Sequence, residues 1–317
     1  MSRFIVRRLL VMVALLFVIS VITFLMFVVV LPGGNPASLL AGRLATPEEV
    51  HLISVRYGFD QPVYIQYLDT MKNIFTAQAY SYQSGFNVIA EIKAGMGATL
   101  SLALGAGVIW LLTSIVFGTL AAIRSGRYTD RVLTVLSMIG VSMPPFFLGA
   151  MLIYYLGYET NTIPLGGYVP FTTDPVQWFT HMLAPWFTLS VLFIGFYSRV
   201  LRSTILETIN EDYVRTARAK GLSERQVLLR HILRNSLIPI ISLWGLDIAQ
   251  VIGGGAILTE TVFNLHGVGQ LARDSIGRLD TITLLAIVIL TAVAVVVLGA
   301  VVDVVHAFLD PRIRLEA

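Results

Sequence analysis

Residues 9–31 run without a charged side chain, and Val, Leu, Ile and Phe dominate the stretch. Roughly 20 such residues, wound as a helix, cross the hydrocarbon of a bilayer. Five more stretches pass the same test. Residues 99–123 are uncharged. Residues 132–158 are uncharged but interrupted by Pro144-Pro145. Residues 181–198 form a shorter, weaker run containing Pro185. Residues 237–258 carry one acid, Asp247, and residues 282–302 are again cleanly apolar. Charged residues are 13% of the chain, against about 25% in soluble domains. With 56% hydrophobic residues and a mean hydropathy of +0.78, a water-exposed fold has too few polar groups to cover its surface. The same composition excludes intrinsic disorder. The first stretch follows a basic start, Arg3, Arg7 and Arg8. Its apolar core is far longer than the ~7–15 residues of a secretion signal and reads as a retained anchor.

The expected class is therefore an all-α polytopic membrane protein with six spans. Orientation follows from the basic residues. With the N-terminus in the cytoplasm, inside segments hold 16 Lys and Arg and outside segments hold 6. Four of those six lie in one long loop, which weighs little. Both termini are expected on the cytoplasmic side of the membrane. The chain divides into a cytoplasmic start and first span (1–31), an extracytoplasmic helical insertion (32–95), a five-helix core (96–310) with a cytoplasmic loop (199–234), and a tail (311–317). The insertion opens on a turn cluster, Pro32-Gly33-Gly34-Asn35-Pro36. Thr46 before Pro47-Glu48-Glu49 then predicts a helix to about Tyr57, stopped by Gly58. A second helix is expected over residues 63–75.

Several chemistries are excluded at once. Without cysteine there is no disulfide, thiolate metal site or Cys nucleophile. Lys72, Lys93 and Lys220 follow Met71, Ile92 and Ala219, so no Gly-Lys pair of a Walker A loop exists. His231, His266 and His306 fall near span ends or in loops on different sides, which gives no metal cluster and no Ser-His pairing. An ion-coupled secondary carrier for small solutes stays the alternative reading, although such a carrier normally shows several intramembrane acids and only Asp247 lies deep in a span. A channel finds no support in the Arg-rich loop.

That loop carries most of the functional signal, with 8 basic and 4 acidic residues between positions 199 and 234. Asn210 is the expected N-cap of a short helix, with Glu211 and Asp212 at its positive end, Lys220 at the other and Gly221 as the stop. Ser223 and Gln226 have capping-box spacing and start a second helix toward the membrane. Tyr213, Ala217 and Gly221 recur at four-residue spacing as a narrow stripe, with Arg215, Arg218 and Lys220 around it. So short a helix is marginal alone. Either it packs on its own spans, or it docks a cytoplasmic partner.

Asp212 to Leu222 and His231-Ile232-Leu233-Arg234-Asn235 resemble the coupling motif of ATP-binding-cassette importer permeases of the dipeptide, oligopeptide and nickel family. Arg215-Thr216-Ala217 stands in the place of the general Glu-Ala-Ala, and Gly221 in that of its Gly. The resemblance extends to Arg7-Arg8-Leu9, Pro32-Gly33, Pro36-Ala37, Tyr57 to Pro62, Gln66-Tyr67-Leu68, Glu260-Thr261-Val262-Phe263 and Gly267-Val268-Gly269. His266 stands where the family commonly has Pro, and Ala77-Gln78-Ala79-Tyr80 lies about where it has Gly-Asp-Leu-Gly. The resemblance implies a peptide permease pairing with a second homologous permease, two ATPase subunits and an extracytoplasmic binding protein. No cofactor is expected in this chain; ATP and Mg would be bound by the ATPase subunits, and no nucleic acid is involved. ATPase coupling would fall to Asp212, Tyr213, Arg215, Ala217, Arg218, Lys220, Gly221 and Leu222. For the translocation path the candidates are Asp247, Gln250, one turn away, and Ser142 and Pro144 at the break in the third stretch. Asp247 reads more readily as half of a structural pair, and Ser137, Ser142 and Thr188 as helix-packing residues. Gly253-Gly254-Gly255 is a hinge or a close crossing.

Overall fold

A computed structural model describes residues 2–30, 36–42 and 45–309. Among them the fold is helical, with a single isolated bridge between Tyr80 and Asn87. The turn at residues 32–35 and the tail 311–317 lie outside the described residues. Helix α1, Ser2–Phe24, continues as a π-helical turn, Leu25–Val30. Helices α2 (Pro36–Ala41), α3 (Pro47–Tyr57) and α4 (Val63–Phe75) follow. The start of α3 is the expected one. Thr46 and Glu49 form a reciprocal capping box, Pro47 takes the first turn, and Gly58 ends the helix at φ 71°. The Thr46 backbone N–H on the Glu49 carboxylate holds that group below the usual carboxylate range.

Helix α5, Val88–Ile123, starts well before the apolar run that announced it. Asn87 caps it by accepting from the Ala90 N–H, and Glu91 sits in its first turn. The third apolar stretch is not one straight span. Helix α6 (Tyr128–Ser142) ends before an extended Met143-Pro144, and α7 (Pro145–Leu152) restarts with Pro145 in its first turn. With its π-helical extension Ile153–Glu159, α7 stands at 94° to α6. Two consecutive prolines remove helix hydrogen bonds and push the preceding residue to extended backbone.

Helix α8, Pro175–Thr208, runs ten residues past the fourth apolar stretch. Positions 199–208 therefore continue helix α8 and are not irregular loop. No breaker interrupts them, and Arg202 is anchored there by a two-pronged bond to Asp130 of α6, 2.7 and 2.8 Å. After α9 (Asp212–Ala219), helix α10 (Glu224–Val227), a π-helical turn, α11 (Leu233–Gln250) and a second π-helical turn make one continuous run to Gly255. Helices α12 (Ile257–Val262), α13 (Val268–Arg278) and α14 (Thr281–Leu309) complete the chain. Five helices are long and apolar enough to span, six if the bent α6–α7 pair counts as one.

Helices α5 and α8 form the central pair, with α6 on α8, and α14 between α11 and α1. Trp110, Leu102, Tyr197, Leu201 and Ile205 fill their seam and are fully buried. The helices approach backbone to backbone. A Cβ on Gly118 would lie 2.8 Å from the Ser198 carbonyl oxygen, and one on Gly195 2.4 Å from that of Ser137. Lipid offers no hydrophobic drive between helices, so close van der Waals packing of small residues supplies the adhesion. Ser137 of α6 and Ser198 of α8 hydrogen-bond at 2.8 Å, and Thr188 of α8 is also buried. Both are packing residues. Ser142 is exposed and is not.

Candidate functional site

The end of α8 positions the loop. Asn210 does not cap α9: its side-chain amide donates back to the Leu206 carbonyl at 3.1 Å, closing α8. The N-cap is Glu211, extended at φ −67°, ψ 145°, and without a side-chain cap bond. The α9 start thus lies one position further on than the sequence suggests, with Asp212 alone in the first turn. At the far end, Lys220 is the C-cap and Gly221 takes φ +79°, as expected of a glycine stop. Ser223 and Gln226 form the predicted capping box, and α10 begins.

Helix α9 has two faces. Val214 and Ala217 are buried, and α9 packs on α10, which holds buried Val227, and on the π-helical turn that follows, which holds buried Ile232. The close approach at Ala217 is therefore made with the chain's own hairpin, so the stripe through Tyr213, Ala217 and Gly221 is not an open surface along its whole length. Tyr213 is half-exposed, and its hydroxyl accepts from the Asn235 amide at 2.7 Å, tying α9 to α11. Ser236 and Thr208 bond at 3.2 Å and tie α11 to α8. Arg218 reaches both Glu224 oxygens, 3.0 and 3.3 Å, across the Gly221 turn. At this exposure such a pair contributes little stability; its effect is on shape. Asp212, Arg215, Lys220 and Gly221 are exposed, and Leu222 is half-buried at the turn. The result is a rigid helical hairpin with one face pinned and one basic face open.

The translocation candidates are placed differently. Asp247 of α11 is half-buried and accepts from the buried Tyr197 hydroxyl of α8 at 2.5 Å. That is the pair with a neighbouring span that a deep acid needs. Gln250, one turn on, is exposed and does not join it. Ser142 and Pro144 lie at the α6–α7 bend and line a shallow, open concavity with Met138, Ile139, Met143 and Phe147. Asp247→Asn should keep the Tyr197 bond, with near-normal transport. Tyr197→Phe leaves a carboxylate oxygen short of its donor, a cost of about 1–3 kcal/mol. A lowered thermal midpoint of the assembled complex checks this.

Two acids escaped the sequence reading. Glu260 in α12 is fully buried. Its oxygens accept from the Thr99 hydroxyl at 2.6 Å and the Gln270 N–H at 2.9 Å, and the Gly269 N–H also donates. Thr99 in turn accepts from the Val268 N–H at 2.9 Å. A Cβ on Gly267 would lie 2.4 Å from Glu260 Oε2, and one on Gly269 2.9 Å from it. This knot joins α5, α12 and α13 and gives the Glu-Thr-Val-Phe and Gly-x-Gly segments one physical purpose. Burial pushes the Glu260 carboxyl up from its ordinary range, against the pull of its donors. Asp280 is likewise buried and accepts from the Ser81 and Thr283 hydroxyls, both at 2.6 Å. For Glu260 the available signal was a lone acid in an apolar context beside closely spaced glycines.

The family departures also find their geometry. His266 has φ +53°, and its N–H donates to Gln270 Oε1 at 2.7 Å. Proline allows neither. Ala77, at φ +58°, adopts a conformation that glycine takes without strain.

Five to six apolar spans, a bent pair and a pinned helical hairpin define the membrane component of a transport assembly. Two family models match it: residues 1–103 fit the N-terminal part of the binding-protein-dependent transport system membrane component, and residues 114–315 fit the binding-protein-dependent transport system inner membrane component. The chain belongs to that family. A probable peptide ABC transporter permease protein of Sinorhizobium fredii is 35% identical, covering 99% of this chain and 100% of the relative. The glutathione transport system permease protein GsiC of Escherichia coli K12 is 34% identical, covering 99% of each. A putative peptide transport system permease protein of Brucella abortus is 32% identical over 100% of each. Among solved structures, the MetNI methionine ABC transporter in an inward-facing conformation shares the fold, with a TM-score of 0.54 at 17% identity, covering 70% of this chain and 97% of that one.

Proposed function

We propose that this chain is one of two paired permease subunits of an ABC importer for peptides, the second being a homologous, different chain. The observation that carries the reading is the α9 hairpin: its inner face is held by Val214, Ala217 and the Tyr213–Asn235 bond, and its outer face is free and basic. The peptide and glutathione transport named for the full-length relatives supports the ligand class. An extracytoplasmic binding protein delivers the peptide, and two ATPase subunits bind ATP and Mg; this chain is not itself catalytic. Asp212, Arg215, Lys220 and Gly221 contact the ATPase surface. Tyr213, Ala217, Arg218 and Leu222 hold the hairpin in shape behind them. Ser142, Pro144 and Gln250, exposed on α6–α7 and α11, face the second permease across the path, and Asp247 is its polar support.

The distribution of basic residues supports a cytoplasmic location for both termini and α9. Because the native chain has no cysteine, single-cysteine labelling tests this without background. A membrane-impermeant maleimide should modify Gln83→Cys in intact cells, and Arg225→Cys only after permeabilisation. The reverse pattern overturns the orientation. Co-purification with an ATPase subunit tests the assembly.

A further inference from the structure

The insertion after the first span is expected to stand outside the membrane, yet α4 is not placed like a helix in water. Tyr67 of α4 lies against the side of α1, its ring 5.4 Å from that of Phe24 and 6.5 Å from that of Phe17. Its hydroxyl is 2.7 Å from Ser20 Oγ. Ser20 already donates to the Phe17 carbonyl at 2.8 Å, so Tyr67 is the donor in that bond. The apolar window of α1 is Leu10–Val28. At 1.5 Å per residue, Ser20 lies about 12 Å inside its Val28 end. One tyrosine side chain spans only part of that depth, so the α4 backbone lies below the end of the span.

Met71 and Ile74 are buried on the inward side of α4. Flanking that side, Tyr64, Leu68 and Phe75 are 67%, 61% and 65% exposed. At 100° per residue these three fall within about 40° of one another, a single stripe. Beside it on α1, Phe17, which touches Tyr67, is itself 59% exposed, and Val13, one turn away on the same face, is 64% exposed. The polar residues Gln66, Asp69 and Asn73 turn the other way and line a small cavity with Tyr57 and Tyr82. At this depth the medium surrounding the protein is acyl chain, and a soluble partner does not reach it.

We propose that α4 is embedded in the leaflet holding the Val28 end of α1, with Tyr64, Leu68 and Phe75 in contact with lipid acyl chains. The helix is amphipathic with respect to lipid and cavity, and Tyr67 satisfies its hydroxyl internally, as a polar group in hydrocarbon must.

The test uses the full chain in its assembled complex, reconstituted in phosphatidylcholine bilayers with or without brominated acyl chains. Single cysteines at Tyr64, Leu68 and Phe75 carry a small fluorophore; Val13→Cys on α1 is the lipid reference and Asp69→Cys the polar-side reference. The three stripe positions should lose the same fraction of emission in brominated lipid as Val13→Cys, while Asp69→Cys loses little. Quenching by aqueous iodide instead of bromolipid overturns the proposal in favour of a water-facing stripe. Protection from both overturns it in favour of a protein cover. Should labelling disturb assembly, the membrane level of Leu68→Asp is compared with that of Leu68→Met. A large loss for the acid alone supports lipid contact, and equal levels overturn it.

Discussion

Gly221→Asp is expected to leave the chain in the membrane at normal levels and to abolish the ATP hydrolysis that is coupled to ligand delivery. Gly221 is exposed, and a Cβ there meets nothing within 4 Å. The backbone cost of a non-glycine at φ +79° is roughly 1–2 kcal/mol, and Asp is among the residues that tolerate this region best. The hairpin is therefore expected to survive. What changes is the surface, where a negative group appears beside Lys220 in a basic patch. Ala217→Arg is expected to give the same loss by another route. Ala217 is buried, and an arginine there pries α9 from α10 and breaks the Tyr213–Asn235 tie. Trypsin separates the two, since only Ala217→Arg should accelerate cleavage in the loop. The decisive measurement is ATP hydrolysis stimulated by loaded binding protein, together with uptake. Normal coupled turnover in Gly221→Asp would show that α9 is not the coupling element.

The second large effect is expected at Glu260. Replacement by Leu orphans the Thr99 hydroxyl and the N–H groups of Gln270 and Gly269. Each buried unsatisfied donor costs about 1–3 kcal/mol, and three at one junction exceed what a local helix connection can bear. Glu260→Leu should sharply reduce the amount of assembled complex and lower its thermal midpoint. Glu260→Gln should fall between, because it keeps one acceptor and places a donor against backbone N–H groups. Gly267→Ala, which drives a methyl to 2.4 Å from the carboxylate, should reproduce the severe phenotype without touching the charge. An unchanged midpoint in Glu260→Leu would remove the knot from the list of features that hold the fold.

Features written in local chemistry were legible in the sequence. Thr46 with Glu49, Ser223 with Gln226, Gly58 and Gly221 mark their helix ends where the structure has them, because caps and left-handed stops involve residues a few positions apart. Apolar runs located the spans but not their lengths. Positions 199–208 and 88–98 are helical although charged or polar, since a helix continues into water wherever nothing breaks it. The Asn210 side chain had two backbone groups in reach and took the one behind it. The 94° bend was visible as Pro144-Pro145 but its angle was not. Glu260 needed Thr99, 161 positions away, to declare itself, and the depth of α4 needed Ser20 and Tyr67, 47 apart. Local spacing does not encode such pairs.

The helix from Glu224 to Gly255 is 32 residues long, about 48 Å at 1.5 Å per residue. It is gripped near its base by Tyr213, and at its far end it meets Gly254 at φ +109°, just before the anchored Glu260. On the coupling role proposed above it would work as a crank: a throw applied at the loop would become a tilt of the shaft about a swivel at Gly254, with the Glu260 bearing beyond it fixed. Stiffening the swivel would stall the machine as surely as cutting its drive.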